Sequence, residues 1–309
     1  MITSVFRKST PLNFSVVVIF LLVFFLAVQF QETSWMTSYF LMFKKGISFC
    51  FIVASVFLTD FIAKRNGLSK DSTFTIFFFL LFLLFFPSIF DNINLIIANF
   101  FLLLALRRLI SLHSLKASKE KIFDASLWIF LASLFHFWSI LFIGLVFISI
   151  IFHVARDYRN WILPFIAFFV TGIIFLLFTT LFQVDSFSYI QNSLRVNFSL
   201  DYFTNNYQNG AMSIFATIAL FFIISMFASL SSRPQILHTS YKKVIASFFL
   251  GVIIYLISDD KSNDLLIFTF APLAIMATSH IELPQEKLKQ EIVVYVMIAC
   301  SMFAFFTQL

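Results

Sequence analysis

The chain has 309 residues, of which 61% are hydrophobic and 12% charged, and its mean hydropathy is +0.97. A soluble globular domain carries roughly a quarter charged residues, so these values exclude a soluble fold and put the chain in lipid. The formal charge of +6 does not point to nucleic acid, because the basic residues fall in short loops between apolar spans and form no continuous soluble face.

Phe supplies 49 residues, a compositional bias in which it does the lipid-facing work that Leu does elsewhere, so no cofactor box is built from aromatics and no cofactor is expected. The two cysteines, Cys50 and Cys300, both stand inside apolar spans. They give neither a disulfide framework nor a thiolate metal site and read as packing residues.

In chain order, Arg7 and Lys8 precede an apolar run over 14–30. The run is long and no small-x-small cleavage site follows it, so it predicts an uncleaved first span with the amino terminus in the cytoplasm. A loop with Glu32, Trp35, Lys44 and Lys45 leads to a second span over 46–63, which empties into KRNGLSKDS. A third span over 73–89 turns at Pro87, Asp91 and Asn92, and a fourth over 93–106 returns to the densest block of positive charge, Arg107, Arg108, Lys116, Lys119 and Lys121.

Between the basic loops that flank 124–154 an even number of crossings must lie, which predicts two short helices meeting near His136, Phe137 and Trp138, or a re-entrant pair. RDYRN then opens a span over 161–182 with Pro164 in its first turn, where a missing donor costs little. Residues 183–211 form the longest polar segment, read as an outward-facing interfacial loop. Within it Leu194, Val196, Phe198, Leu200 and Tyr202 alternate with polar residues, the period-2 pattern of an extended piece with one apolar face. Spans over 212–230, 245–258, 265–281 and 292–306 complete the chain.

The expected architecture is therefore all-α: one polytopic transmembrane helical bundle over 1–309 with about eleven transmembrane helices, the short pair included. Of the 21 Lys and Arg, seventeen fall in loops assigned to the cytoplasm and four (Lys44, Lys45, Arg195 and Lys261) in the others, the asymmetry expected of short loops under the positive-inside rule.

The stretch over 61–154, with IAKRNGLSKDS, the Phe-rich span ending in Pro87, NLIIANFFLLLALRRLISL and KEKIFDASLWIFLASLFHFWSILF, resembles an uncharacterised family of polytopic bacterial inner-membrane proteins. The resemblance implies a multi-pass protein of the inner membrane and no particular activity. More distantly, the order of basic loop, Pro-terminated span, second basic loop, two short helices and outward loop looks like the glycosyltransferases of the C superfamily and the polysaccharide polymerases. That likeness implies a polyprenyl-linked sugar as substrate and a carboxylate after the first span as base or metal ligand. Glu32 in QFQETSW is the residue at that place, without a second acid beside it.

Gly-rich phosphate loops, Gly-x-Ser-x-Gly and His-Glu-x-x-His do not occur in the sequence. The acids assigned to the outward side are Glu32, Asp91, Asp185, Asp201, Asp259, Asp260 and Asp264, and the DDKSND loop gathers three of them around Lys261. Such a loop is either a solvated hairpin or a site for a divalent cation and, through one, a pyrophosphate. Glu32, Asp259 and Asp260 are the candidate catalytic groups. Arg195, the lone outward arginine, suits a lipid phosphate through its planar donor fork and otherwise serves as an interfacial anchor. His136 is a second phosphate-binding candidate, against a plain structural hydrogen bond. Asn94 and Asn99 on the fourth span read as interhelical glue.

Two functions from different classes compete: a membrane protein handling a polyprenyl-linked sugar at the outer leaflet, and a non-catalytic scaffold whose partners are other membrane proteins of envelope assembly or secretion. A transporter comes third, since no charged pair sits at mid-span and no broken Gly/Pro helices match in two halves.

Overall fold

The structure is a computed structural model, which describes every residue except 1, 184, 199–204 and 260, and only the backbone of 2, 34 and 192. The described chain is helical: α1 (Ile2–Phe6), α2 (Pro11–Gln29), α3 (Tyr39–Arg65), α4 (Phe74–Leu84), α5 (Ile93–Ile110), α6 (Ser118–Phe135), α7 (Ile143–His153), α8 (Arg159–Leu181), α9 (Ser186–Ser193), α10 (Asn206–Leu230), α11 (Gln235–Ile257), α12 (Ile267–Ile281) and α13 (Lys287–Gln308). Each of the eleven stretches read as spans holds a helix. Among the described residues, eight helices are long and apolar enough to cross a membrane.

The centre is built from α4 and α12. The sequence FTIFFFLLFLL has no polar side to turn outward, and a helix that is hydrophobic all round is buried; every residue of α4 is. At 11 residues it rises only about 16 Å, well short of the roughly 30 Å hydrocarbon core. It continues through a 3-10 turn, Pro87–Asp91, into α5. α12 lies against it, joined by the Thr278 hydroxyl donating to Thr75 at 3.2 Å, and all its residues but His280 are buried.

Around this pair stand α2, α3, α5, α10, α11 and α13. Edge-to-face and stacked rings fill the seams, among them Phe82 with Phe215 and Phe86 with Phe270. α6 packs on α5, and α8 packs on α6 with Phe165, Phe168, Phe169 and Leu177 exposed. So large an apolar surface belongs in hydrocarbon.

Several boundaries differ from expectation. α3 begins at Tyr39 and α11 at Gln235, earlier than the hydrophobic runs suggest, because helix continues out of the apolar zone until a proline or a turn ends it. Lys242 and Lys243 consequently lie within α11, and Lys243 is fully buried rather than in a loop. Asp157 accepts the Arg159 amide at 3.0 Å and starts α8 two residues early, so Pro164 stands inside the helix and not in its first turn. Cys50 is exposed on α3 rather than packed.

The polar segment over 183–211 is not all loop. Asp185 caps α9 by accepting the Phe187 amide, and Asn205 caps α10, which begins at Asn206. The alternating stretch is extended at Val196, which forms an isolated antiparallel bridge with Ser258, and Leu194, Val196 and Phe198 are all exposed. Leu200, Asp201 and Tyr202 lie outside the described residues.

Candidate functional site

The two short helices part where the sequence suggests. α6 stops at Phe135, His136 is extended, and a 3-10 turn over Phe137–Phe142 leads into α7. This break opens one end of the bundle. His136 Nε2 meets the Ser258 hydroxyl at 3.2 Å, and its ring lies against Phe268. Ser258 is also the residue bridged to Val196, and the Asn197 amide donates to the Ile257 carbonyl at 3.3 Å. The tip of α11 thereby draws the segment after α9 to the helix break.

The result is a cavity of about 290 Å³ that holds three of the expected site residues together, His136, Arg195 and Asp259. Asn92, Asn94, Trp138, Tyr189 and Ser262 complete its polar wall. Arg195 and Asp259 are exposed at its rim, one fork of donors and one carboxylate facing the same volume. A single phosphate and a hydroxyl nucleophile have complementary groups here.

An apolar groove of about 440 Å³ adjoins this cavity between α6, α8 and α9. Phe137 and Tyr189 line both. The Tyr189 phenol donates to the Leu134 carbonyl at 3.0 Å, which fixes α9 over the groove, and burial pushes that phenol's pKa up. Ligand sites of this kind are mostly apolar with a few placed polar groups.

Glu32 is not in this cavity. It lines a separate depression of about 280 Å³ with Trp35, Lys45 and Asp91. Asp91 accepts from Gln29 Nε2 at 2.9 Å and pairs with Lys45. Asp264 turns inward instead of joining Asp259: the turn Asn263–Leu266 already belongs to α12's entry, and the Ser88 hydroxyl donates to the buried carboxylate. Asp264 therefore stands apart from the gathering expected around Lys261. Asp260 lies outside the described residues. Among the described residues no group of three or more His, Cys, Asp and Glu stands close enough to hold a metal ion.

Asn94 is exposed in the cavity wall rather than joining helices. Asn99 is buried, and its Nδ2 finds no partner. Tyr189 had no local signal in the sequence, and Trp138 was marked only by its place at the helix break beside His136.

At the opposite end polar clamps close the helices on one another around a cavity of about 380 Å³ lined by Arg7, Lys70, Ser72, Glu282 and Gln290. Glu282 accepts the Ser72 hydroxyl at 2.6 Å and the Lys70 amide at 2.8 Å, and Arg233 donates to the Ser279 carbonyl at 2.7 Å. Tyr241 donates to Leu68, and Lys243 to the Leu109 carbonyl at 2.6 Å.

A family model described as a family of unknown function (DUF6427) matches residues 5–309. No curated protein and no solved structure matches the chain.

Proposed function

Since the chain belongs to that family, which brings no activity with it, we propose a function from the site: a multi-pass protein of the bacterial inner membrane, amino terminus in the cytoplasm, that takes up a polyprenyl-linked sugar at the outer leaflet in the manner of the C-superfamily glycosyltransferases. The observation that carries this reading is the junction at Phe137 and Tyr189, where a polar cavity with Arg195, His136 and Asp259 passes into an apolar groove. A ligand with a greasy chain and a phosphate head needs both in that order. Arg195 takes the phosphate, with His136 beside it. Asp259 accepts the proton of an attacking hydroxyl while the bond from the anomeric carbon to the phosphate oxygen breaks and its electron pair leaves with the phosphate, whose charge Arg195 balances. Glu32, which lines none of this cavity and stands two depressions along the same end, serves the acceptor's side.

The test is complementation of a deletion strain with variants that accumulate normally in the membrane. Arg195→Ala and Asp259→Asn are expected to abolish it, and Glu32→Gln to weaken it. Full activity of both Arg195→Ala and Asp259→Asn would dismiss the catalytic reading. A scaffold for other envelope membrane proteins would then stand in front, favoured by a bundle centre that α4 and α12 fill completely.

A further inference from the structure

The cavity at Arg195 is one end of a longer surface feature. Asn92 and Asn94 line both it and a second depression of about 420 Å³, which also holds Lys44, Ser88 and Asp264. Asp91 in turn lines this depression and the one of about 280 Å³ at Glu32 and Trp35. Three depressions thus run edge to edge along one end of the bundle, sharing walls at Asn92, Asn94 and Asp91.

The charge along this track changes character. At the Arg195 end a cation faces the cavity. Beyond Asn94 the lysines Lys44 and Lys45 stand among the carboxylates of Asp91, Asp264 and Glu32, and Lys45 is paired with Asp91. No positive surplus remains there, so a second phosphate or an acidic polymer gains nothing from entering. Asp91, the carboxylate common to two of the depressions, is already paired with Lys45. What the walls do offer is alternating donors and acceptors on planar amides and carboxylates, with an indole at each end, Trp138 and Trp35. The Trp35 indole N–H is already spent on the Gln29 carbonyl at 2.8 Å, so the ring contributes apolar surface rather than a hydrogen bond.

We propose that this track is a binding site for an uncharged oligosaccharide, the acceptor or growing glycan, which lies from the Arg195 cavity across Asn94 and Asp91 to Trp35. Hydroxyls of successive sugars satisfy the amides and carboxylates, and their flat apolar faces cover the indoles. The proposal rests on the lipid-linked sugar reading for its direction: the attacking hydroxyl sits at the Asp259 end and the rest of the chain trails toward Glu32.

The experiment uses the full chain in nanodiscs with two separate probes. An array of neutral hexasaccharides and a hexauronate tests the track, and undecaprenyl phosphate tests the Arg195 cavity. At least one neutral hexasaccharide is expected to bind and the hexauronate not. Glu32→Leu and Trp35→Leu, both in the depression farthest from Arg195, should each weaken the sugar by about tenfold, the equivalent of one good hydrogen bond or stacking contact, and leave undecaprenyl phosphate binding unchanged. Arg195→Ala should do the reverse. Because Trp35 also bonds Gln29, the unchanged lipid binding doubles as the check that its variant is folded. If no neutral sugar binds while the lipid does, if the hexauronate binds more tightly, or if both track variants keep wild-type sugar affinity, the track is not a glycan site. If sugar binds and undecaprenyl phosphate does not, the track stands and the lipid-linked reading fails.

Discussion

Lys243 sits fully buried on α11, where its ammonium donates to the Leu109 carbonyl at 2.6 Å. That carbonyl is one of the last in α5, at the negative end of the helix dipole, and its neighbours are capped by side chains too: Lys121 donates to the Ser111 carbonyl, and His113 Nδ1 meets the Ile110 carbonyl. The buried amine is therefore a helix cap. Lys243→Ala leaves a void and a bare carbonyl and should cost about 2–4 kcal/mol, whereas Lys243→Met keeps the volume and should cost about 1 kcal/mol. Thermal melting in detergent ranks the two; a methionine variant as unstable as the alanine one would mean the charge itself is essential. Glu282 gives a pH signature. Burial holds its carboxyl above the ordinary value of 4.5 although Ser72 and the Lys70 amide oppose the shift. The folded state then binds the proton more tightly than the unfolded one, so stability is greatest at low pH and falls as pH rises from 4.5 through the raised value. Glu282→Gln should flatten that fall in a melting-versus-pH series; an unchanged slope would assign it to another group. Residue-level legibility followed burial. Arg195, His136 and Asp259 could be placed on one side from the order of spans, but Asp264 and Lys243 looked like loop charges because hydropathy alone does not show where a helix starts.

At the scale of elements, the contact between α11 and α12 is set by Gly251. A Cβ there would stand 2.8 Å from Thr269 Cγ2 and 3.1 Å from the Phe268 carbonyl carbon, so the two helices touch backbone to backbone. Gly251→Val should force them apart at a cost of about 1–3 kcal/mol. Because Ser258, seven residues on, holds both His136 and Val196, the same variant should also weaken undecaprenyl phosphate binding. Loss of stability with unaltered lipid affinity would show that the tip of α11 is positioned independently of the crossing. The helices themselves were legible because apolar runs of this length have no other fold in lipid, and the break at His136 was legible because two basic loops demanded a return. The centre was not. The run FFFLLFLLFF in α4 reads the same whether it faces lipid or protein, and only the assembled bundle shows that α4 is enclosed while α8, equally apolar, is exposed.

For the whole molecule the decisive quantity is orientation. Seventeen of the 21 Lys and Arg fall in loops assigned to one side, and the groove end holds Lys44, Lys45 and Arg195 of the other four. The contacts support the same division. Lys64, Lys70, Arg233 and Arg7 meet Ser9, Glu282, Ser279 and Gln290 at the closed end, whereas Gln29, Lys45 and Asp91 meet at the grooved one. Lys243 weakens the argument least: it is buried and so counts little toward insertion, but it lies near the closed end with the rest. Translocating that many cations would cost far more than translocating the four, and on that ground the proposed orientation puts the closed end in the cytoplasm and the groove outward. A cysteine placed at Ser114, exposed beside the closed end, is then expected to escape a membrane-impermeant thiol reagent in whole cells and to react only after permeabilisation. A cysteine at Asn206, in the first turn of α10, should label from outside. The native Cys50 is exposed on the apolar face of α3 and is replaced by Ala first so that the background stays silent. Labelling at Ser114 in intact cells would invert the bundle, turn the Arg195 cavity toward the cytoplasm, and move the search for its lipid to the inner leaflet.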